Sequence, residues 1–150
     1  AKAFGAKVIG YNRSHSHDDI TYTDLNTLLQ TSDIVSIHLP LTKDTKHFID
    51  KDKLALMKKD AILINTARGG IIDNEALAEA LKKGEIAGAG IDVFDMEPPL
   101  PEDYPLLFAP HTVLTPHVGF DTEEAMERRA AIVADNLKSF VEGKQKNIIC

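Results

Sequence analysis

Short apolar runs alternate with amphipathic stretches along the chain. Lys7–Tyr11 (K-V-I-G-Y), Asp33–Leu39 (D-I-V-S-I-H-L), Ala61–Asn65, Ile86–Val93 and Thr112–Leu114 are brief runs rich in aliphatic and β-branched residues, and each reads as a buried strand. The intervening segments carry helical spacing. Thr23 is the expected cap of a short helix with Leu25, Leu28 and Leu29 on one face, and a second helix is expected over about Asp52–Lys58, with Leu54, Leu56 and Met57. Asp73 or Asn74 caps a third, which runs to about Lys83 and ends at Gly84; Asp121 or Thr122 caps a long one over Glu123–Phe140. The opening A-K-A-F-G-A reads as a helix end with Gly5 at its C-cap. Asn12–Asp19 reads as polar loop, and Pro98–Pro110 is too proline-rich for regular structure. Ala87, Gly88 and Ala89 imply that something packs closely on their strand. Strands alternating with helices imply a parallel sheet built from right-handed crossovers, so the expected class is α/β, doubly wound.

Parallel strands share a direction, so the loops that follow them lie along one edge, where ligands bind in open α/β sheets. Three of these loops carry ionisable groups: Arg68 in N-T-A-R-G-G, Glu97 in D-V-F-D-M-E-P-P and His117 in T-P-H-V-G. A cation, a carboxylate and an imidazole suit the binding of an anion and the movement of a proton. Asp92 and Asp95 are rival carboxylates to Glu97. Composition narrows the alternatives. The 150 residues suffice for one domain with a core, and 43% hydrophobic with 27% charged residues is globular. The net charge of −6, with no basic stripe, argues against a nucleic-acid surface. No apolar run reaches the length of a membrane span, and no signal-peptide pattern is visible. The single cysteine, Cys150, cannot staple the fold, and there is no metal-ligand spacing, so a cytoplasmic protein without a metal is expected.

Val35–Thr45 (V-S-I-H-L-P-L-T-K-D-T), Ile64–Asp73 (I-N-T-A-R-G-G-I-I-D), Gly90–Pro98 (G-I-D-V-F-D-M-E-P) and Leu114–Gly119 (L-T-P-H-V-G) occur in the order and spacing of a known family. On these motifs, spanning nearly the whole chain, the sequence resembles the nucleotide-binding domain of D-isomer-specific 2-hydroxyacid dehydrogenases. The resemblance implies a Rossmann-type sheet, here without its first strand and G-x-G-x-x-G turn. In the strand order 3-2-1-4-5-6, Lys7–Tyr11 would be strand 2 and Ala61–Asn65 strand 4, with the absent strand between them. The expectation is therefore a partial dinucleotide-binding domain over residues 1–150. It would be the C-terminal part of a longer enzyme with a separate substrate domain, inactive on its own.

The resemblance also assigns roles. His117 matches the acid/base that gives a proton to the substrate carbonyl oxygen, and histidine titrates nearest neutral pH. Glu97 matches the carboxylate that pairs with that imidazole and fixes its tautomer. Arg68 matches the two-pronged clamp on the substrate carboxylate. Asp92 matches the acceptor for the nicotinamide carboxamide. Leu39, Pro40 and Thr45 match the loop along the cofactor, Thr66 and Ala67 match backbone contacts near nicotinamide, and Gly119 belongs to the same cofactor set. His38 ends a strand at this edge and is a further lining candidate, whereas His15, His17, His47 and His111 read as loop, surface or packing residues. At the end of strand 2, Asn12 stands where an NAD enzyme usually has an acid, with Arg13 and Ser14 following; this favours NADP over NAD. Phe120 stands where small residues are common and is expected to narrow the substrate pocket.

The expected activity is hydride transfer between NAD(P)H and a small 2-oxo acid or D-2-hydroxy acid, in a homodimer. Glu97 argues against formate dehydrogenases of this fold, which use glutamine there. A phosphite dehydrogenase-like oxidoreductase shares the Arg/Glu/His set. A corepressor-like dinucleotide-binding module without catalysis is the reading from another class.

Overall fold

The computed structural model describes residues 1–12, 20–96 and 99–148. It divides into two units, Ala1–Pro116 and His117–Cys150. In the first unit four strands form one parallel sheet in the order β3-β4-β5-β6: Ile34–Ile37, Ile62–Asn65, Gly88–Ile91 and Thr112–Leu114. Two short strands, β1 (Ile9–Gly10) and β2 (Thr21–Tyr22), pair in parallel as a second sheet. All six strands run as parallel crossovers require, which bears out the α/β class.

Burial alternates along the strands as a half-covered sheet demands. Val35, Ile37, Leu63, Ala89 and Ile91 face one layer, where they join Leu29 of α1 (Leu25–Thr31) and Leu54 of α2 (Lys51–Leu54) in the core. Leu77, Ala78 and Leu81 of α3 (Asn74–Lys83) complete that layer. On the opposite face Ile34, Ile62 and Val113 are exposed. Gly88 and Gly90 let neighbours close in, since a Cβ at Gly88 would lie 2.9 Å from the His111 carbonyl oxygen and one at Gly90 3.0 Å from Ile64 Cδ1. The small residues of this strand thus do accommodate close packing.

Several boundaries differ from the sequence reading. The cap of α1 is Asp24 rather than Thr23, because the Asp24 carboxylate is the one that reaches Thr27 N (2.9 Å). Asp50 caps α2, which stops at Leu54, well short of Lys58. Asp73 caps α3, and Gly84 ends it in the left-handed conformation (φ 66°), as expected. The opening helix end is a single 3-10 turn, Lys2–Phe4, closed by Gly5 at φ 79°. Inside the proline-rich stretch, Pro105–Phe108 forms a 3-10 turn with Pro105 at its start, where a missing N–H costs nothing.

The strand order corrects one expectation. Ala61–Asn65 does not flank a gap, because β4 is paired on both sides, by β3 and β5. Among the described residues, β1 and β2 each have one unpartnered edge, as do β3 and β6 at the ends of the four-stranded sheet. Thr21–Tyr22 is a strand in its own right, and counting it moves every later strand up by one.

The second unit contains α4 (Glu123–Val141), capped by Thr122, whose Oγ1 accepts from Ala125 N (3.2 Å). No helix among the described residues is long and apolar enough to cross a membrane.

Candidate functional site

The carboxyl ends of β3 to β6 release four loops on one edge of the sheet. After β3 come His38, Leu39 and Pro40. Thr45 closes this loop: its buried hydroxyl donates to Pro40 O (2.6 Å) and accepts from Thr42 N (2.7 Å). Its role in the structure is therefore to hold the loop's shape. His38 is exposed, with Nε2 bonded to Ser36 Oγ at 2.9 Å. Three backbone bonds then fasten this segment to the next loop: His47 N to Gly70 O (2.8 Å), Ile49 N to Ile71 O (3.0 Å) and Asp73 N to Ile49 O (3.0 Å).

After β4 the chain makes the turn that presents Arg68. Asn65, fully buried at the strand end, shapes it. Its Nδ2 donates to Arg68 O (3.0 Å) and its Oδ1 accepts from Ala67 N (3.0 Å). A buried amide must find partners, and here both are backbone groups of the turn. Thr66 and Arg68 are exposed and Ala67 is half-buried, and the Arg68 guanidinium folds back to donate through Nη1 to Ala67 O (2.6 Å). Gly69 and Gly70 are buried between two neighbouring loops. A Cβ at Gly69 would lie 1.8 Å from the Phe94 carbonyl carbon, whereas one at Gly70 would meet only the tip of Leu41, at 3.3 Å. Gly69 thus marks a close approach of backbone to backbone.

After β5 comes Asp92, only 6% exposed, whose Oδ1 accepts from Thr115 Oγ1 at 2.5 Å. Three residues on, Asp95 accepts from the buried Tyr104 hydroxyl (2.6 Å), and the Tyr104 ring meets Phe94 edge-on at 5.8 Å. Burial, with the bond to Asp95 second, pushes the Tyr104 hydroxyl pKa above its ordinary value, so it remains a donor throughout the working pH range. A cavity of about 520 Å³ behind this loop is lined by His47, Asp73, Asn74, Tyr104 and neighbours, and Arg68 and Asp92 are not among its lining residues.

The structure thus brings Thr66, Ala67, Arg68 and Asp92 together with the β3 loop on one edge. Glu97, Arg13 and Ser14 lie outside the described residues, as do His15 and His17. Asn12 is exposed just beyond β1, where Tyr11 stacks on Phe48 at 6.2 Å. His117 opens the second unit in the left-handed region (φ 58°), a conformation a non-glycine residue adopts only where the surroundings enforce it. Its ring meets Phe120 edge-on at 6.1 Å, and the Arg129 guanidinium lies over the Phe120 ring at 5.7 Å. Gly119 is exposed in the turn that follows His117. Sequence reasoning did not single out Asn65, Thr115 or Tyr104. The signal for Asn65 was a polar residue closing an otherwise apolar strand; Thr115 and Tyr104 carried none.

Known proteins share the sequence pattern and the fold. The family model for the D-isomer specific 2-hydroxyacid dehydrogenase NAD binding domain matches residues 1–119. A glyoxylate reductase of Thermococcus litoralis is 48% identical over 149 residues, covering 96% of this chain and 44% of that protein. An NAD-complexed D-isomer specific 2-hydroxyacid dehydrogenase of Lactobacillus delbrueckii ssp. bulgaricus superposes with a TM-score of 0.88 at 38% identity, covering 99% of this chain and 50% of that one. An acyclic imino acid reductase in complex with NADPH and D-Arg gives a TM-score of 0.86 at 37% identity, over 99% and 48%. The chain therefore spans about half the length of the relatives it matches. By sequence and by fold, it belongs to the NAD-binding domain family of the D-isomer specific 2-hydroxyacid dehydrogenases.

Proposed function

We propose that this chain is the dinucleotide-binding part of an oxidoreductase that interconverts a small 2-oxo acid and its D-2-hydroxy acid. The observation that carries the proposal is the Arg68 turn, built on buried Asn65 and wedged at Gly69, beside Asp92 on the ligand edge of a parallel sheet. A nicotinamide dinucleotide bound there supplies the hydride. The donor set fits one: Asp92 offers a carboxylate acceptor for the carboxamide N–H, and the Thr66–Ala67 backbone lies beside it on the exposed edge. The Arg68 guanidinium pairs with the substrate carboxylate through two parallel N–H bonds and polarises the adjacent carbonyl. The His117 imidazolium gives its proton to the carbonyl oxygen, which becomes the hydroxyl. Glu97 holds the imidazole by its other nitrogen and stabilises its charged form. Phe120, edge-on to His117, limits the size of the substrate's side chain.

We infer a preference for NADP. Asn12 follows β1 in place of a carboxylate that would repel a 2′-phosphate, and Arg13 and Ser14 follow it in sequence. The chain is further proposed to be part of a longer enzyme, in which the expected strand would pair with one edge of β1 and one of β3. A homodimer is the proposed assembly.

The test is a substrate panel on the full-length protein. Glyoxylate, hydroxypyruvate and pyruvate are added with NADPH or NADH, and cofactor oxidation is followed by absorbance. Turnover with a higher kcat/KM for NADPH is expected. Dinucleotide binding with no turnover of any 2-oxo acid would favour the non-catalytic binding module, and a clear NADH preference would overturn the cofactor inference.

A further inference from the structure

We propose that Thr115 is a positioning residue for the nicotinamide end of the cofactor, acting through Asp92. The proposal rests on the reading of Asp92 as the carboxamide acceptor. The sheet register brings the two together: Ile91 pairs with Leu114, so Asp92 and Thr115 leave β5 and β6 side by side. Backbone bonds fix both positions, Thr115 N donating to Ile91 O and Asp92 N to Asn65 O, each at 3.0 Å. The side chains then meet at 2.5 Å, Thr115 Oγ1 donating to Asp92 Oδ1. That length is a close hydroxyl–carboxylate hydrogen bond.

Threonine suits the task better than a longer hydroxyl side chain. Branching at Cβ restricts χ1, so the hydroxyl is aimed before any ligand arrives. A buried carboxylate must be hydrogen-bonded to stay charged, and one oxygen held by Thr115 sets the plane of the group. An acceptor whose plane is preset loses less order when it takes a donor, so the carboxamide N–H meets it already aligned. Replacing the hydroxyl by a methyl leaves nearly the same volume and removes the Thr115 bond from the carboxylate.

A purely structural role for Thr115 would weaken every ligand of the domain alike. A positioning role weakens only ligands that carry nicotinamide. The experiment is therefore a pair of affinities in the full-length protein, measured by calorimetry: NADPH against 2′-phosphorylated ADP-ribose, or NADH against ADP-ribose if NADH is preferred. Thr115→Val is expected to weaken the nicotinamide cofactor about tenfold, in line with a bond to a charged group, with ADP-ribose affinity within about twofold of wild type. Thr115→Ser should recover most of the loss, and Thr115→Ala should match Thr115→Val. Equal weakening of both ligands in the Val and Ala variants, or of neither, overturns the proposal. Asp92→Ala separates the two levels. If it lowers the ratio of the two affinities and Thr115→Val does not, the role of Thr115 alone falls. If Asp92→Ala leaves the ratio unchanged, the reading of Asp92 falls and that of Thr115 with it.

Discussion

Substitution of Gly69 by alanine probes the link between fold and site at a single atom. The new Cβ would lie 1.8 Å from the Phe94 carbonyl carbon, 1.9 Å from its oxygen and 2.4 Å from Asp95 N. Ordinary contact begins at 3.4 Å, so the two loops must part by about 1.6 Å, the difference of the two distances. Neither loop yields easily. Asp95 is held by Tyr104 at 2.6 Å, and the Arg68 turn is held by both polar atoms of Asn65. The neighbours at fault are backbone atoms, so no rotamer change relieves the overlap. The cost falls at the top of the over-packing range, about 3 kcal/mol, and lowers the melting temperature of a domain this size by about 6 °C or more. Gly69 follows Arg68 directly, so the same displacement moves the guanidinium, and a misplacement near 1 Å can cost about a hundredfold in turnover. Gly70→Ala is the matched control, since its Cβ meets only the Leu41 methyls at 3.3 and 3.4 Å. That side chain can turn aside, at a cost of about 1 kcal/mol or less. Thermal unfolding and kcat/KM of the two variants, side by side in the full-length protein, give the answer. Equal stability and equal activity for Gly69→Ala and Gly70→Ala would refute the packing argument.

Arg68→Lys keeps the charge and loses the planar fork, so KM for the 2-oxo acid should rise about tenfold or more while the affinity for the dinucleotide holds; steady-state kinetics and cofactor titration check both halves. Asn65→Leu removes the two bonds that shape the turn and leaves Ala67 N and Arg68 O without that partner, which should cost about 2 kcal/mol in thermal unfolding and raise KM as well. Asp50 caps α2, and its carboxylate pKa is lowered first by the hydrogen bond from Lys53. A pKa depressed in the folded state adds stability above the unfolded value of about 3.9, and this is lost as pH falls through the folded one. Asp50→Asn should therefore lower the melting temperature at pH 7 and lose that difference towards pH 2, as melting curves across the range would record.

The parts of the fold legible in the sequence were those with enough residues to show a period. Ile34–Ile37, Ile62–Asn65, Gly88–Ile91 and Thr112–Leu114 lie within the apolar runs that mark them, and Asp73 and Gly84 bound α3 as their residue types require. Thr21–Tyr22 has two residues and no alternation to detect, and its omission misnumbered the strands that follow. Asp24 replaced Thr23 as a cap because capping depends on which oxygen reaches Thr27 N, a matter of ångströms that adjacent polar residues do not reveal. The positions of Arg68 and Asp92 on the carboxyl edge were legible because charged groups in the turns after apolar strands stand out in the sequence. Asn65 and Thr115 were not, since their work is defined by partners three and twenty-three residues away. The two glycines after Arg68 signalled a tight path, but only the Phe94–Asp95 peptide explains why Gly69 and not Gly70 is the strict position.

The central claim is hydride transfer to C2 of a 2-oxo acid on a D-specific face. Its most direct test is isotopic: the full-length protein is given pyruvate or hydroxypyruvate with NADPH or NADH carrying deuterium at both positions of nicotinamide C4, and the product is analysed by NMR and chiral chromatography. Deuterium at C2 of the D-2-hydroxy acid is the predicted result. Unlabelled product, or the L-isomer, would contradict the account.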